Sequence, residues 1–254
     1  KMKKHIKYLI ILLIFGCESN LKQWMPYDEK QEIEKNSNSK IKKLQYKRIQ
    51  SLITDKNDLI RGYEKEINLF LKKRYNQLEP LIVEKSIPEI QKQIIDRKFT
   101  YYDLTLFYIS RIYSIEFNNE TYLNSIISLN KDALNEARKK DIKGNENIYS
   151  IFGIPILLKD NIGFESLPTT AGAYSLRQNY TADAFITDKL KSEGAIVLGK
   201  TNLSEWANYF CSGCPNGYTS LGGQTLNPYG RKIIDTGGSS SGSGVATASN
   251  LSSV

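Results

Sequence analysis

The sequence predicts an α/β fold, and two observations support this. Of the 254 residues, 40% are hydrophobic and 24% are charged, which is typical of a globular chain rather than a disordered or coiled-coil one. Segments with helical spacing then alternate with short apolar runs that are typical of buried strands.

The chain begins with a predicted export signal over residues 1–16. Four lysines precede an uncharged apolar run, Tyr8 to Phe15, that is far shorter than the ~20 residues needed to span a bilayer. Gly16-Cys17 resembles a bacterial lipobox, which predicts lipidation of Cys17 and an exported lipoprotein anchored in the cell envelope. A plain signal peptide or a short membrane anchor is the alternative.

A tether and a helical arm are predicted for residues 17–85. Residues 18–45 are rich in Lys, Asn, Ser, Glu and Gln, a composition typical of a flexible tether. Residues 46–85 show apolar positions at helical spacing, beginning with Ile49, Leu52 and Ile53.

Four helices and two strands are predicted over residues 86–198, followed by a long loop. Helix starts are indicated by the capping box that begins at Ser86 and by Thr100 to Asp103, and the last helix of the segment spans Asp183 to Glu193. A further helix is predicted over 130–140. The apolar runs 153–158 and 195–198 predict buried strands. Residues 207–232 lack periodicity, and so long a loop in a compact domain is usually functional.

The residue counts exclude several kinds of chemistry. The single histidine, His5, lies in the predicted signal, which excludes Ser-His-Asp and Cys-His catalysis and a His-ligated zinc site from the remainder. No metal and no cofactor is therefore predicted. Without residues 1–16 the net charge is 31 − 27 = +4, and the basic excess lies before residue 100, so no nucleic-acid surface is indicated. A basic arm near an anionic membrane, or simply a solvated charged face, explains this excess.

Gly194 to Thr201 matches the phosphate-binding pattern G-x-x-x-x-G-K-T. That site requires its four middle residues to form a loop with exposed amides. Here they are Ala-Ile-Val-Leu, which favour a strand, so nucleotide binding is not expected.

Asp235 to Gly244 is a Gly/Ser-rich turn followed by small apolar residues that resemble the start of a buried helix. Such a turn supplies hydroxyls at a helix N-terminus, although a flexible linker has the same composition. Lys159 ends an apolar strand, where desolvation would let its neutral amine act as a base. A lysine paired with Asp160 is the alternative. A Ser/Lys arrangement is the simplest hydrolytic machinery available without histidine.

These residues resemble the amidase signature family, and within it the peptide-amidase branch. The resemblance spans residues 86–254 and rests on several motifs in register. They are Gly153-Ile154-Pro155 with Lys159-Asp160-Asn161, Pro168 to Gly172, Gly194 to Glu205, Ser220 to Tyr229, and Gly237 to Gly242. The resemblance implies a mixed sheet surrounded by helices, with the N-terminal part of an amidase domain over 86–254.

The resemblance also implies a Ser-cisSer-Lys triad that hydrolyses small-molecule or peptide amides through an acyl-enzyme. Lys159 matches the lysine, Ser239 matches the proton-relaying serine that follows a cis peptide bond, and Ser240 is expected to contact the substrate. The nucleophilic serine of the family follows some two dozen residues later, beyond Val254. These 254 residues alone are therefore expected to be inactive and incompletely folded.

Three further interpretations remain open at this stage. Cys211 and Cys214 either close a small disulfide or stay free, whereas a redox CxxC would sit at a strand-to-helix turn. The chain is alternatively an inactive surface lipoprotein remnant, or resembles the amidotransferase component that amidates mischarged tRNA. The export signal and the peptide-amidase-like loop argue against the amidotransferase.

Overall fold

A computed structural model describes residues 21–253 of the chain. The predicted signal peptide with His5, and the predicted lipidation site Cys17, lie outside these residues. The longer helices within them are α1 (Lys30–Ser37), α2 (Glu64–Lys73), α3 (Tyr75–Ile82), α4 (Ile87–Ile95), α5 (Tyr101–Glu116), α6 (Ala133–Lys143), α7 (Phe185–Ser192) and α8 (Ser241–Ala248). The strands are β1 (Ile126–Leu129), β2 (Pro155–Lys159), β3 (Ile196–Thr201), β4 (Tyr218–Thr219) and β5 (Gly223–Gln224).

The central sheet is mixed and has the strand order β1-β3-β2, as the α/β prediction requires. β2 runs parallel to β3 with Lys159 opposite Thr201, and β1 runs antiparallel to β3. Every residue of β3 is buried, which is consistent with the apolar run Ile196 to Leu198 at its start. The parallel pair brings the ends of β2 and β3 to the same edge of the sheet.

Helix α5 packs against α2, α3, α6 and β2 and lies at the centre of the core. A capping box starts it: the Thr100 hydroxyl accepts from the Asp103 amide, and the Asp103 carboxylate accepts from the Thr100 amide. Ser86 and Glu89 form the same motif at α4. Both helix starts are therefore placed as the sequence predicts.

The segment predicted as a tether is packed against the core instead. Trp24 and Leu44 are each at most 6% exposed and belong to the same hydrophobic cluster as α5. A polar composition conceals these few large side chains, because they are irregularly spaced and show no periodicity. The prediction of a tether over 18–45 is thus wrong for residues 21–45.

Helical structure also begins later than the spacing in residues 46–85 predicts. Regular helix starts only at Glu64, after a 3-10 turn over Lys56–Leu59. Ile49 is buried, whereas Leu52 and Ile53 are exposed, so these three residues do not form one helix face. The segment instead contacts the long loop after β3 through the Ile49 carbonyl oxygen and the Ser51 hydroxyl.

Between residues 21 and 253 none of the helices has both the length and the apolar character needed to cross a membrane.

Candidate active site

Lys159 and Ser239, the two residues predicted to be catalytic, are in direct contact. The Lys159 Nζ donates a hydrogen bond to the Ser239 Oγ over 2.7 Å, although 80 residues separate them in the chain. Lys159 is the last residue of β2, and Ser239 precedes α8. The turn between the long loop and α8 therefore places its first serine at the end of the strand.

Burial lowers the pKa of the Lys159 ammonium below its ordinary value. Among the described residues, no carboxylate lies within ion-pair distance of the Lys159 Nζ. Desolvation without a compensating anion favours the neutral amine, which is the form that accepts a proton.

Asp160 is not the partner of Lys159. Its buried carboxylate accepts from the Thr170 hydroxyl and from the Gly172 amide, the latter at 3.2 Å. Burial raises the pKa of Asp160 to about 6. Asp160 thus holds the turn at 170–172, and the alternative of a strand-end ion pair with Lys159 is not observed.

The Gly/Ser turn is an ordered part of the fold and not a flexible linker. The peptide bond between Gly238 and Ser239 is cis, and Gly237 has a positive φ of 65°. The Ser241 hydroxyl donates to the Gly237 carbonyl oxygen at 2.6 Å, which closes the turn onto the first residue of α8. Ser240, predicted to contact the substrate, is exposed at the start of this helix.

The short segment Asn202 to Ser204, which follows β3, is hydrogen-bonded to the Gly/Ser turn and to the start of α8. Sequence reasoning assigned this segment no role. The amide of Ser204 donates to the carbonyl oxygen of Ser239 at 2.9 Å. The Asn202 carbonyl oxygen accepts from the amide of Gly242 at 3.0 Å. Both Asn202 and Ser204 are fully buried polar residues, and that feature becomes visible only once the fold is known.

The sequence that matches the phosphate-binding pattern forms β3, as predicted, and not a loop. Lys200 is fully buried, and its ammonium donates to the Ile162 carbonyl oxygen and to the Thr169 hydroxyl. Burial lowers its pKa. A lysine bound in this way inside a sheet does not face a phosphate site.

Cys211 and Cys214 form a disulfide in the long loop. Of the alternatives left open by the sequence, the structure contains the small disulfide ring. Within residues 21–253 no group of three or more His, Cys, Asp or Glu side chains lies close enough together to hold a metal ion.

A cavity with a volume of about 1060 Å³ among the described residues does not include the Lys159–Ser239 contact. It is bordered by Trp24 and Lys56 of the N-terminal segment and by β1, and neither Lys159 nor Ser239 contributes to its wall. The Lys159–Ser239 contact is therefore on a different part of the surface from this cavity.

Comparisons with known proteins identify the family of the chain. The sequence model of the Amidase family matches residues 103–254. A probable amidase from Arabidopsis thaliana is 34% identical over 179 residues, which cover 68% of this chain and 34% of that protein. A glutamyl-tRNA(Gln) amidotransferase subunit from Lawsonia intracellularis is 36% identical over 165 residues, covering 64% of this chain and 32% of that protein.

Two solved structures share the fold. An amidase family protein from Bacillus anthracis superposes with a TM-score of 0.74 and 37% identity, covering 81% of this chain and 41% of that one. The peptide amidase of Stenotrophomonas maltophilia gives a TM-score of 0.63 and 38% identity, covering 67% of this chain and 35% of that one. This chain spans about a third of the length of the curated relatives that it matches. By its sequence and its fold, it belongs to the amidase family.

Proposed function

We propose that this chain supplies the base and the proton relay of an amidase that hydrolyses carboxamide bonds through a Ser-cisSer-Lys triad. The 2.7 Å contact between the Lys159 Nζ and the Ser239 Oγ carries this proposal. A desolvated lysine without an anionic partner, bound to a serine hydroxyl, is the arrangement that general-base catalysis without histidine requires.

The proton would move in two linked transfers. The nucleophilic hydroxyl attacks the amide carbonyl carbon, and its proton passes to the Ser239 oxygen while the Ser239 proton passes to the neutral amine of Lys159. The carbon–nitrogen bond then breaks, the departing nitrogen takes the proton back along the same path, and an acyl-enzyme remains. Water hydrolyses the acyl-enzyme by the same sequence of transfers.

The nucleophile and the oxyanion donors would come from the part of the relatives that this chain does not cover. The family resemblance implies a serine some two dozen residues after Ser239. Small-molecule or peptide amides are the proposed substrates, with the peptide-amidase branch favoured. In support, one solved structure of a peptide amidase that resembles this chain holds the competitive inhibitor chymostatin. Ser240, exposed beside the pair, is proposed to contact the substrate.

A chimaera tests the proposal. The matching N-terminal part of the Stenotrophomonas maltophilia peptide amidase is replaced by residues 21–254 of this chain, which keeps the N-terminal segment that packs on the core. Release of ammonia from a peptide amide is measured against the parent enzyme. Lys159→Met and Ser239→Ala are each expected to lower kcat by roughly 10²–10⁴-fold, the usual contribution of general acid–base catalysis. Turnover that survives Lys159→Met in a folded chimaera would refute the triad assignment. The 254-residue chain alone is expected to show no turnover.

A second candidate is an activity like that of the tRNA-dependent amidotransferases. The relatives from Lawsonia intracellularis and Legionella pneumophila favour it, at 36% and 39% identity. Release of ammonia from free glutamine by the corresponding chimaera, without activity on peptide amides, would select this candidate. A chimaera inactive on both substrates, although its first third folds, would favour the inactive lipoprotein remnant.

Export and lipidation at Cys17 are proposed from the sequence. Expression in a bacterial host with labelled palmitate should give a labelled membrane-fraction protein, and Cys17→Ser should abolish the label. Label that persists in Cys17→Ser would overturn the assignment.

A further inference from the structure

A buried ion pair lies behind the catalytic turn and joins the N-terminal segment to the core. Glu116, the last residue of α5, is fully buried, and its carboxylate lies 3.1 Å from the Lys56 Nζ. Lys56 comes from the 3-10 turn of the N-terminal segment and is 14% exposed. Its ammonium also lies 4.3 Å from the centre of the Trp24 ring, so the cation is enclosed by aromatic surface.

The Glu116 carboxylate organises the loop that leads into β1. One oxygen accepts from the amides of Leu123 and Asn124 at 3.3 and 2.9 Å. The other accepts from the amide and the hydroxyl of Ser125, both at 2.8 Å. Asn124 has a positive φ of 51°, and its side-chain oxygen accepts from Lys56. One buried carboxylate therefore fixes three consecutive residues.

The Ser125 carbonyl oxygen links the Glu116 carboxylate to the residues around the Ser239 turn. It accepts from the amide of Asn202 at 2.8 Å. It also lies so close to Gly242 that a Cβ there would be 2.6 Å from it. Asn202 in turn binds the amide of Gly242, and Ser204, two residues on, binds the carbonyl oxygen of Ser239. Two routes thus lead from Glu116 through Ser125 to the residues on either side of the turn.

We propose that Glu116 and Lys56 are positioning residues for Ser239: their buried ion pair holds the Ser125 carbonyl oxygen, and through it the turn that keeps the Ser239 hydroxyl against Lys159. Calling Ser239 and Lys159 the relay and the base rests on the proposed function, whereas the link from Glu116 to the turn does not. Because the pair is enclosed, removing one partner leaves a buried group without its counterion and displaces the loop.

The titration of Lys159 reports whether the turn has moved. The 254-residue chain is labelled with ¹³C,¹⁵N-lysine, and the Lys159 signals are assigned by their loss in Lys159→Arg. In Glu116→Gln the Ser239 turn is expected to move away, water to reach Lys159, and its pKa to rise toward the ordinary lysine value of about 10.4. Asp96→Asn, which breaks the exposed Lys92–Asp96 pair on α4, is the matched control and should leave the titration unchanged.

A purely structural role would lower the melting temperature of Glu116→Gln but leave the Lys159 titration as in the wild type, and that result would overturn the proposal. If Glu116→Gln does not fold, Lys56→Met decides. It keeps the carboxylate and its bonds to the loop amides and is expected to shift the titration in the same direction. An unchanged titration in folded Lys56→Met would then overturn the proposal. The titration of Lys159 needs no turnover, so it tests the positioning role of Glu116 and Lys56 separately from the proposed function, which the chimaera tests.

Discussion

Gly242 and Gly244 provide a matched pair of substitutions in the helix that follows the Gly/Ser turn. Both lie within α8, two residues apart. A Cβ on Gly242 would lie 2.3 Å from the Asn202 carbonyl oxygen and 2.6 Å from both the Asn202 nitrogen and the Ser125 carbonyl oxygen. A Cβ on Gly244 would have no atom within 4 Å. The same Gly→Ala change therefore meets fixed backbone at one position and open space at the other.

The difference between the two variants isolates the close approach of α8 to the end of β3. Each alanine gains roughly 0.5–1 kcal/mol of helix stability relative to glycine. Gly244→Ala should therefore stabilise the chain by about that amount. Gly242→Ala gains the same term but must displace backbone atoms, and overpacking of this kind costs about 1–3 kcal/mol. We expect Gly242→Ala to be the less stable of the two by about 1–3 kcal/mol.

Urea denaturation of the two variants and the wild type measures this difference, provided that the slope m is unchanged, so that the midpoints report stability. Equal midpoints for Gly242→Ala and Gly244→Ala would refute the reasoning, because they would mean that α8 does not approach Asn202 as closely as the structure has it. A Gly242→Ala midpoint above that of the wild type would do so as well.

Three further predictions concern neighbouring groups. The pKa of Asp160 rises from 3.8 to about 6 on folding, so the native state holds a proton that the unfolded chain loses between these values. Its contribution to the free energy of unfolding should fall by about 2 kcal/mol as pH rises from 4 to 7. Asp160→Asn should remove that part of the urea-midpoint profile, and identical profiles for both proteins would contradict this. Thiol titration of denatured Cys17→Ser should find no free thiol without reductant and two with it, whereas two thiols without reductant would contradict the Cys211–Cys214 disulfide. Magnesium ATP at millimolar concentration should leave the melting temperature unchanged, because Lys200 is buried within β3, and a rise would revive the phosphate site.

Local patterns predict the elements that build the base side of the site. The apolar run before Lys159 predicts β2 because a strand buried on both faces has little alternation, and the four apolar residues within Gly194 to Thr201 predict β3 for the same reason. Capping residues predict where α4 and α5 begin, since they satisfy amides that the helix leaves free. Such signals lie within a few residues of the feature they predict.

The parts that the sequence does not reveal depend on contacts between distant residues. β1 is a four-residue strand, Ile-Ile-Ser-Leu, too short to show a period, and only pairing with β3 defines it. Asn202 and Ser204 belong to a motif that resembles the family, but their role appears only when the turn at Ser239 lies against them. The packing of residues 21–45 escapes prediction for a related reason, since isolated aromatic residues in a polar segment give no periodic signal.

The N-terminal segment and the long loop that leads to the Ser239 turn belong to one packed unit, because polar contacts join them. The backbone amide of Gln224 donates to the Ile49 carbonyl oxygen at 2.8 Å. The Ser51 hydroxyl donates to the Ser220 carbonyl oxygen, and the Lys43 ammonium donates to the Cys214 carbonyl oxygen. A segment that acted only as a tether would be solvated and would make none of these contacts. Here its release would leave the buried Gln224 amide without a partner, at a cost of about 1–3 kcal/mol, and would leave the Glu116 carboxylate without its cation, at about 3–5 kcal/mol. Domains are stable by about 5–15 kcal/mol, so losses of this size would remove a large part of the stability of the packed unit. The N-terminal segment is therefore an integral part of the packed unit that contains the Lys159–Ser239 contact.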